Sequence, residues 1–508
     1  MKASSRIIIN TLAQYSKTFL NIIFTLYSTR LILSSLGVED YGIYTLLAGV
    51  VAMLAFITNA LSTTTQRFLS YNYGKFSLDV VKRVFNNSLI IHICFGLLLV
   101  LFLSMLSPFL FDGFLNIPDL RIGAAKTVYY VVVIILFITF STSPFRALLI
   151  AHENIVFLSI VDVLDGILKV LIAIVLSYIS YDKLIAYSIF LGGIKIFNFL
   201  AISLFAFNKY SECRNPSISY FDKSYIRELF SFAFWNIYSV GCIVGRTQGI
   251  AIVINKFFGA AMNAAYGLGF QIAGYVNFMS ESLLNAIKPQ IMKSEGAENR
   301  ERVLFLSELA SKYSFFLLST LAIPCIFEMP TLLALWLKEV PENAVLFSRM
   351  VMIAALMDTL TIGLGSANQA IGNIKEYSLV VNTTKLITLP IVCICLAIGL
   401  NVTSVAICYI AFEFVCAMIR LPFLHKNGGL DLRHFFNNVF VKETFPFLVF
   451  LLFSLSISLF IHSKYRFVLS FSIPIIAYYF AIYLWGISKE ERHIIIHFWK
   501  SATNKILK

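Results

Sequence analysis

Four arginines stand inside or at the edges of long apolar runs: Arg30, Arg67, Arg146 and Arg246. A guanidinium stays protonated where water is scarce and offers a planar fork of donors, which suits it to gripping a phosphate or diphosphate. Arg246 is the hardest to explain otherwise. It lies deep in its run, and the residues four before and four after it are Cys242 and Ile250, so no acid on the same helical face can pair with it. Arg30, Arg67 and Arg146 lie nearer run ends, where a long side chain reaches the interface cheaply. Lys17 and Lys195 are further cations within apolar runs.

The carboxylates in these runs point to a second chemistry, the binding of a coupling ion or proton, and the candidates are Asp162, Glu281 and Asp358. A charge at a helix centre in a bilayer costs roughly 2.5 to 3.5 kcal/mol, so such groups must face protein or a wet cavity. Asp162, Asp165 and Lys169 share one helical face, and Asp165 and Lys169 can pair at i, i+4, which leaves Asp162 over. A self-neutralised structural cluster is the competing reading. Polar residues also recur in stripes. One holds Asn10, Gln14, Lys17, Asn21, Thr25 and Ser28; a second Gln271, Gly274, Phe278, Glu281 and Asn285; a third Asp358, Thr361, Gly365 and Asn368. One polar face on an apolar helix fits a cavity wall, where Gln271 would join the cations in binding substrate; hydrogen bonding between helices would give the same pattern.

The elements that must carry these residues follow from composition. Of 508 residues, 59% are hydrophobic and only 13% charged, with mean hydropathy +0.82, which excludes a soluble fold. Runs long enough to cross a hydrocarbon core of roughly 30 Å recur from end to end, and they are too continuous for the alternating strands of a barrel. The expectation is therefore an all-α, polytopic membrane protein. About fourteen spans are read, at 7–33, 42–69, 87–111, 125–150, 156–179, 184–207, 229–257, 260–287, 304–328, 344–371, 377–399, 402–424, 445–462 and 467–487. Alternate connections then hold 22 Lys and Arg on one side against five on the other, which places both termini in the cytoplasm. The net charge of +13 comes from these loops and fits anionic lipid headgroups; no nucleic-acid module is present. Trp235, Trp336, Trp485 and Trp499 fall near span ends, as interfacial anchors do.

Other chemistries find little support. The eight cysteines lack paired metal or redox spacing and read as small packing residues. His493 and His497 lack the glutamate and third ligand of a zinc site, and the basic, isoleucine-rich tail around them reads as an interfacial helix. There is no phosphate-binding glycine loop, and no connection is long enough for a soluble catalytic domain. Neither a cofactor nor a metal is expected.

Shifting the chain against itself by 222 residues aligns Gly37, Tyr44, Phe56, Leu61 and Gly74 with Gly259, Tyr266, Phe278, Leu283 and Gly296. An offset spanning six helices preserves orientation, so the expected domains are parallel repeats at 1–208 and 209–424, followed by two helices and a basic tail at 425–508. The segment from Thr29 to Ser70, with TRLILSSLGVEDYGIYTLLAG and TTTQRFLS, resembles the start of the polysaccharide exporters of the multidrug/oligosaccharidyl-lipid/polysaccharide superfamily, the group containing Wzx-type O-antigen flippases. SPFRALLIAHEN (143–154), LLALWLKEVP (332–341) and ANQAIGNIKEY (367–377) extend the likeness, with Lys338 standing where a glycine often follows the Trp-Leu pair. The resemblance implies a non-enzymatic transporter in a bacterial inner membrane. It would flip an oligosaccharide linked to undecaprenyl diphosphate by alternating access, for polysaccharide or O-antigen synthesis, among membrane lipids and glycan-polymerising assembly proteins. The runner-up is a multidrug or organic-cation antiporter of the same superfamily, for which the carboxylates Asp162, Glu281 and Asp358 would matter most.

Overall fold

The computed structural model describes residues 3–52, 54–75, 78–111, 117–214, 220, 222–336, 340–461, 465–488 and 491. Lys338, Trp499, His493, His497 and the rest of the tail lie outside them. The described chain is all-α: α1 (Ala3–Ala52), α2 (Ala55–Gly74), α3 (Leu78–Phe109), α4 (Ile122–Ala151), α5 (Ile155–Leu176), α6 (Lys183–Lys209), α7 (Lys223–Phe258), α8 (Ala260–Gly296), α9 (Arg300–Phe327), α10 (Ala344–Thr359), α11 (Ile362–Ile371), α12 (Ile374–Ala397), α13 (Thr403–Gly428), α14 (Leu432–Phe460) and α15 (Arg466–Gly486).

Among the described residues, ten helices are long and apolar enough to cross a membrane, and α10 with α11, bent by 51° at their junction, makes an eleventh. The other expected spans are helices too, but more polar ones. In α5, Asp162, Asp165 and Lys169 interrupt an otherwise apolar run, while α2 and α8 carry Thr, Asn, Gln and Ser along their length. This is a multi-pass membrane protein.

Two compact units form, one of residues 9–237 with 296–298, the other of 1–8, 238–295 and 299–508, so the division falls inside α7. The 222-residue offset has a backbone counterpart. Gly37, at the bend within α1, and Gly259, between α7 and α8, both take positive φ, +80° and +84°, where a side chain would be strained. Gly74 and Gly296 likewise each end a helix.

In the first unit α4 is central, packed against α2, α3 and α6 through Val128, Tyr129, Val132, Leu136 and Phe140. In the second, α9 is central. Ser307, Ser311, Ser314 and Ser319 are fully buried along it, and small residues let neighbours come close. A Cβ on Gly363 of α11 would fall 2.0 Å from the Ser307 carbonyl oxygen, so only glycine fits there. The C-terminal part of the chain is tied to α9 at two levels. Arg466 of α15 pairs with Glu328, just past the end of α9, at 3.1 Å, and Lys312 pairs with Glu491 at 2.6 Å. The two α9-side residues lie sixteen positions apart, about 24 Å along a helix.

Candidate functional site: an ionic cluster in each unit

In the first unit, four cations converge on the two aspartates of α5. Arg146 of α4 donates both arms of its fork to Asp162, at 2.9 and 3.0 Å, and Lys17 of α1 reaches the same carboxylate at 3.1 Å. Asp165 takes Lys169 at 2.6 Å, the pair that the i, i+4 spacing allows, and Lys195 of α6 at 2.9 Å, with Asn198 donating at 2.6 Å. Gly166 makes the approach of α1 possible, since a Cβ there would lie 2.7 Å from both Asn21 and Phe24. The sequence-based expectation that Asp162 is left over is therefore corrected: two helices outside α5 supply its partners. Four cations now face two carboxylates. The cation side chains keep 22 to 39% of their surface accessible.

The second unit holds a chain of charges. Arg246 of α7 pairs with Glu413 of α13 at 2.7 Å and lies over the Tyr409 ring. Glu413 also meets Lys385 of α12 at 2.8 Å; Lys385 meets Asp358 of α10 at 3.0 Å; and Asp358 meets Arg420 of α13 at 2.6 Å. This cluster is closed, with all three cations 3 to 8% exposed. Arg246 thus finds its acid partner on another helix, where the absence of an acid on its own helical face requires one to be, and Asp358, read as a coupling-ion candidate, is paired with two cations. Arg420 also explains how the chain tolerates the α10–α11 break. Its guanidinium donates to the Asp358 carbonyl at 3.0 Å, and Thr361 donates to the Ala417 carbonyl at 3.0 Å, fixing the break against α13.

The remaining candidates scatter. Arg67 is buried and stacked among Phe68, Tyr71 and Phe232, with ring centroids 4.7 to 5.1 Å away, so it packs as a cation over aromatic faces. Arg30 and Gln271 are exposed. Glu281 is exposed at a cavity of about 300 Å³ that it shares with Asn285, Lys288, Gln369, Tyr377 and Arg420, so the polar stripe of α8 and Gly365 of the third stripe do meet at one space. Lys385, Glu413 and Arg420 escaped the sequence reading. Each is a charge within a long apolar helix, and the cost argument applied to Arg246 singles them out equally.

Charges outside the spans form their own group. Glu212, in a short turn after α6, accepts from Tyr73, and from His152 at 3.0 Å, while His152 stacks on Tyr210 with ring centroids 3.8 Å apart. Burial pushes the Glu212 carboxyl up, but the hydrogen bonds from His152 and Tyr73 outweigh it and hold the group down at about 2.

No family model matches the chain, and no curated protein sequence matches it. Solved structures do. The MATE transporter ClbM in complex with Rb+ is 17% identical, over 84% of this chain and 96% of that one, with a TM-score of 0.69. An outward-facing multidrug resistance MATE family transporter of the MOP superfamily is 16% identical, over 84% and 95%, with a TM-score of 0.70. A MOP superfamily transporter from Pyrococcus furiosus, described as having a binding pocket of reverse polarity that suggests a different function, is 13% identical, over 84% and 95%, at 0.71. The fold of this chain is that of the MATE transporters of the MOP superfamily.

Proposed function

We propose that this protein is a transporter that flips a lipid-linked oligosaccharide across a bacterial inner membrane by alternating access, both termini lying in the cytoplasm. One observation carries the reading: the surplus of positive charge on α1, α4, α5 and α6, where, among the described residues, Lys17, Arg146, Lys169 and Lys195 pair with Asp162 and Asp165 alone. A diphosphate headgroup is the complementary ligand. It accepts the donors that the aspartates share, and a cluster already partly neutralised releases its cargo more readily than bare cations would. An organic cation would meet repulsion at this place. In the second unit, Arg246 acts as an internal tie and is not offered to substrate. The fold likeness supports transport by a moving helical bundle and is neutral on cargo.

The test is flipping of a fluorescent undecaprenyl-diphosphate glycan in proteoliposomes. Arg146→Ala and Lys195→Ala should each reduce the rate tenfold or more at equal protein level, with Arg146→Lys intermediate because the fork is lost. Unchanged flipping in both alanine variants, or proton-driven uptake of an organic cation by the wild type, would overturn the assignment in favour of the multidrug reading.

A further inference from the structure

Glu443, in the fourth turn of α14, is 1% exposed, and neither carboxylate oxygen has a hydrogen-bond partner. An ionised carboxylate buried in this way is among the most costly groups a fold can hold, and neutralising it with a proton removes most of the cost. Its surroundings are specific. Lys312 of α9 and Tyr478 of α15 face it within electrostatic reach, and Lys442 is its neighbour in sequence. Lys312, itself only 3% exposed, is committed elsewhere, to Glu491 at 2.6 Å. His434 and Glu308, paired at 3.2 Å, complete the charged groups around the space of about 310 Å³ that Lys312, Lys442 and Glu491 line.

Glu491 is doubly employed. Its carboxylate accepts from the Ser488 backbone N–H at 2.7 Å, and its own N–H donates to the Ser488 hydroxyl at 3.2 Å. This reciprocal pair is a capping box, the device that starts a helix, and here its acid is anchored to the bundle by Lys312. One buried lysine therefore stands between two carboxylates. One of them, Glu491, is paired with Ser488; the other, Glu443, is unpartnered.

We propose that Glu443 is a proton-binding site whose ionisation decides which carboxylate Lys312 serves. With the proton on Glu443, Lys312 pairs with Glu491 and the Ser488–Glu491 capping box is anchored. When Glu443 loses its proton, the new buried anion draws the ammonium group away, and the capping box loses its anchor. The Ser488–Glu491 pair is thereby coupled to pH through α9 and α14, independently of the ionic clusters assigned to substrate.

Hydrogen exchange on the full-length protein in nanodiscs tests this, with protection of the Ser488 and Glu491 amides normalised for intrinsic exchange between pH 5 and 9. Wild type should lose tenfold or more protection as pH rises. Glu443→Gln, which keeps the shape of the protonated acid, should stay protected throughout, and Lys312→Met should be unprotected throughout. Infrared difference spectra supply a check that does not depend on docking. The carbonyl stretch of a protonated carboxylic acid should vanish in Glu443→Gln. The same pH dependence in Glu443→Gln as in wild type, or a spectrum in which that variant loses no such band, would overturn the proposal.

Discussion

Neutralising Glu413 should damage the protein more than neutralising any exposed acid, and the structure says by how much. Its carboxylate serves Arg246 at 2.7 Å and Lys385 at 2.8 Å, and its side chain is only 6% exposed. Glu413→Gln leaves Arg246, Lys385 and Arg420 facing Asp358 alone. Arg246, 3% exposed, then keeps its charge with no acid partner in the chain of contacts. Breaking a buried pair from one side costs about 3 to 5 kcal/mol, because the orphaned charge stays desolvated. Replacing both partners by apolar residues of similar size removes that orphan, and such exchanges are neutral or even stabilising. The expected pattern is thus strongly non-additive: Glu413→Gln destabilises by about 3 kcal/mol or more, whereas Arg246→Met with Glu413→Met returns most of the loss. Thermal unfolding in detergent, followed by labelling of the buried Cys242 and Cys416, reads it out. Additive single and double variants, or a Glu413→Gln protein as stable as wild type, would refute the inference that this pair is a buried internal tie.

Two further expectations concern groups outside the spans. Glu212 is held at about 2 against an ordinary 4.5, so its stabilising contribution, up to roughly 3 kcal/mol, is complete above pH 4.5 and drains away as pH falls towards 2. Denaturation curves between pH 2 and 6 should show this slope in wild type and lose it in Glu212→Gln. Topology is checked by cysteine labelling in a cysteine-free background. Ser34→Cys should react with an impermeant thiol reagent in intact cells and Glu298→Cys should not; the reverse result inverts the orientation drawn from the 22-to-5 asymmetry.

How far the sequence carried is itself physical. Helices were legible because a bilayer demands continuous apolar length, and α5 was found despite three charges because its remaining residues outweigh them. Gly37 and Gly259, which the 222-residue offset aligns, both sit where the backbone takes positive φ, a conformation glycine adopts without strain. A related sign went unused: AHENI at 151–155 and AIGNI at 370–374 both follow a helix, and Glu153 and Gly372 take positive φ of 60° and 95°. Partnerships were not legible. The spacing within α5 identified Asp165 with Lys169, because that pair lies on one helix. Nothing in a one-dimensional pattern tells that Arg146 and Lys17 reach Asp162, or that Glu413 answers Arg246 from 167 residues away. Periodicity reports a helix's own face, whereas charge pairing across helices depends on packing distance.

Packing distance at the first cluster rests on one residue, and Gly166→Ala tests it. A Cβ at this position would stand 2.7 Å from Asn21 Oδ1 and from the Phe24 ring, closer than real contacts allow. Both are side chains of α1, so either they turn aside or the whole helix retreats from α5. Retreat by even a few tenths of an ångström lengthens the 3.1 Å pair of Lys17 with Asp162, while Arg146, on α4, keeps its two bonds. Overpacking costs about 1 to 3 kcal/mol, against which alanine's better helix propensity returns about 1 kcal/mol, so a net loss of about 0 to 2 kcal/mol is expected. Gly193→Ala on α6 is the control. Nothing lies within 4 Å of its Cβ, so that variant should gain slightly or stay level. Both should be measured for unfolding and for flipping, because the cluster reading asks for more than instability: Gly166→Ala should slow flipping beyond what its stability loss explains, as Lys17 leaves its register. If the two alanine variants are equally stable and equally active, α1 does not depend on that glycine to bring Lys17 to Asp162, and Lys17 drops out of the proposed diphosphate site.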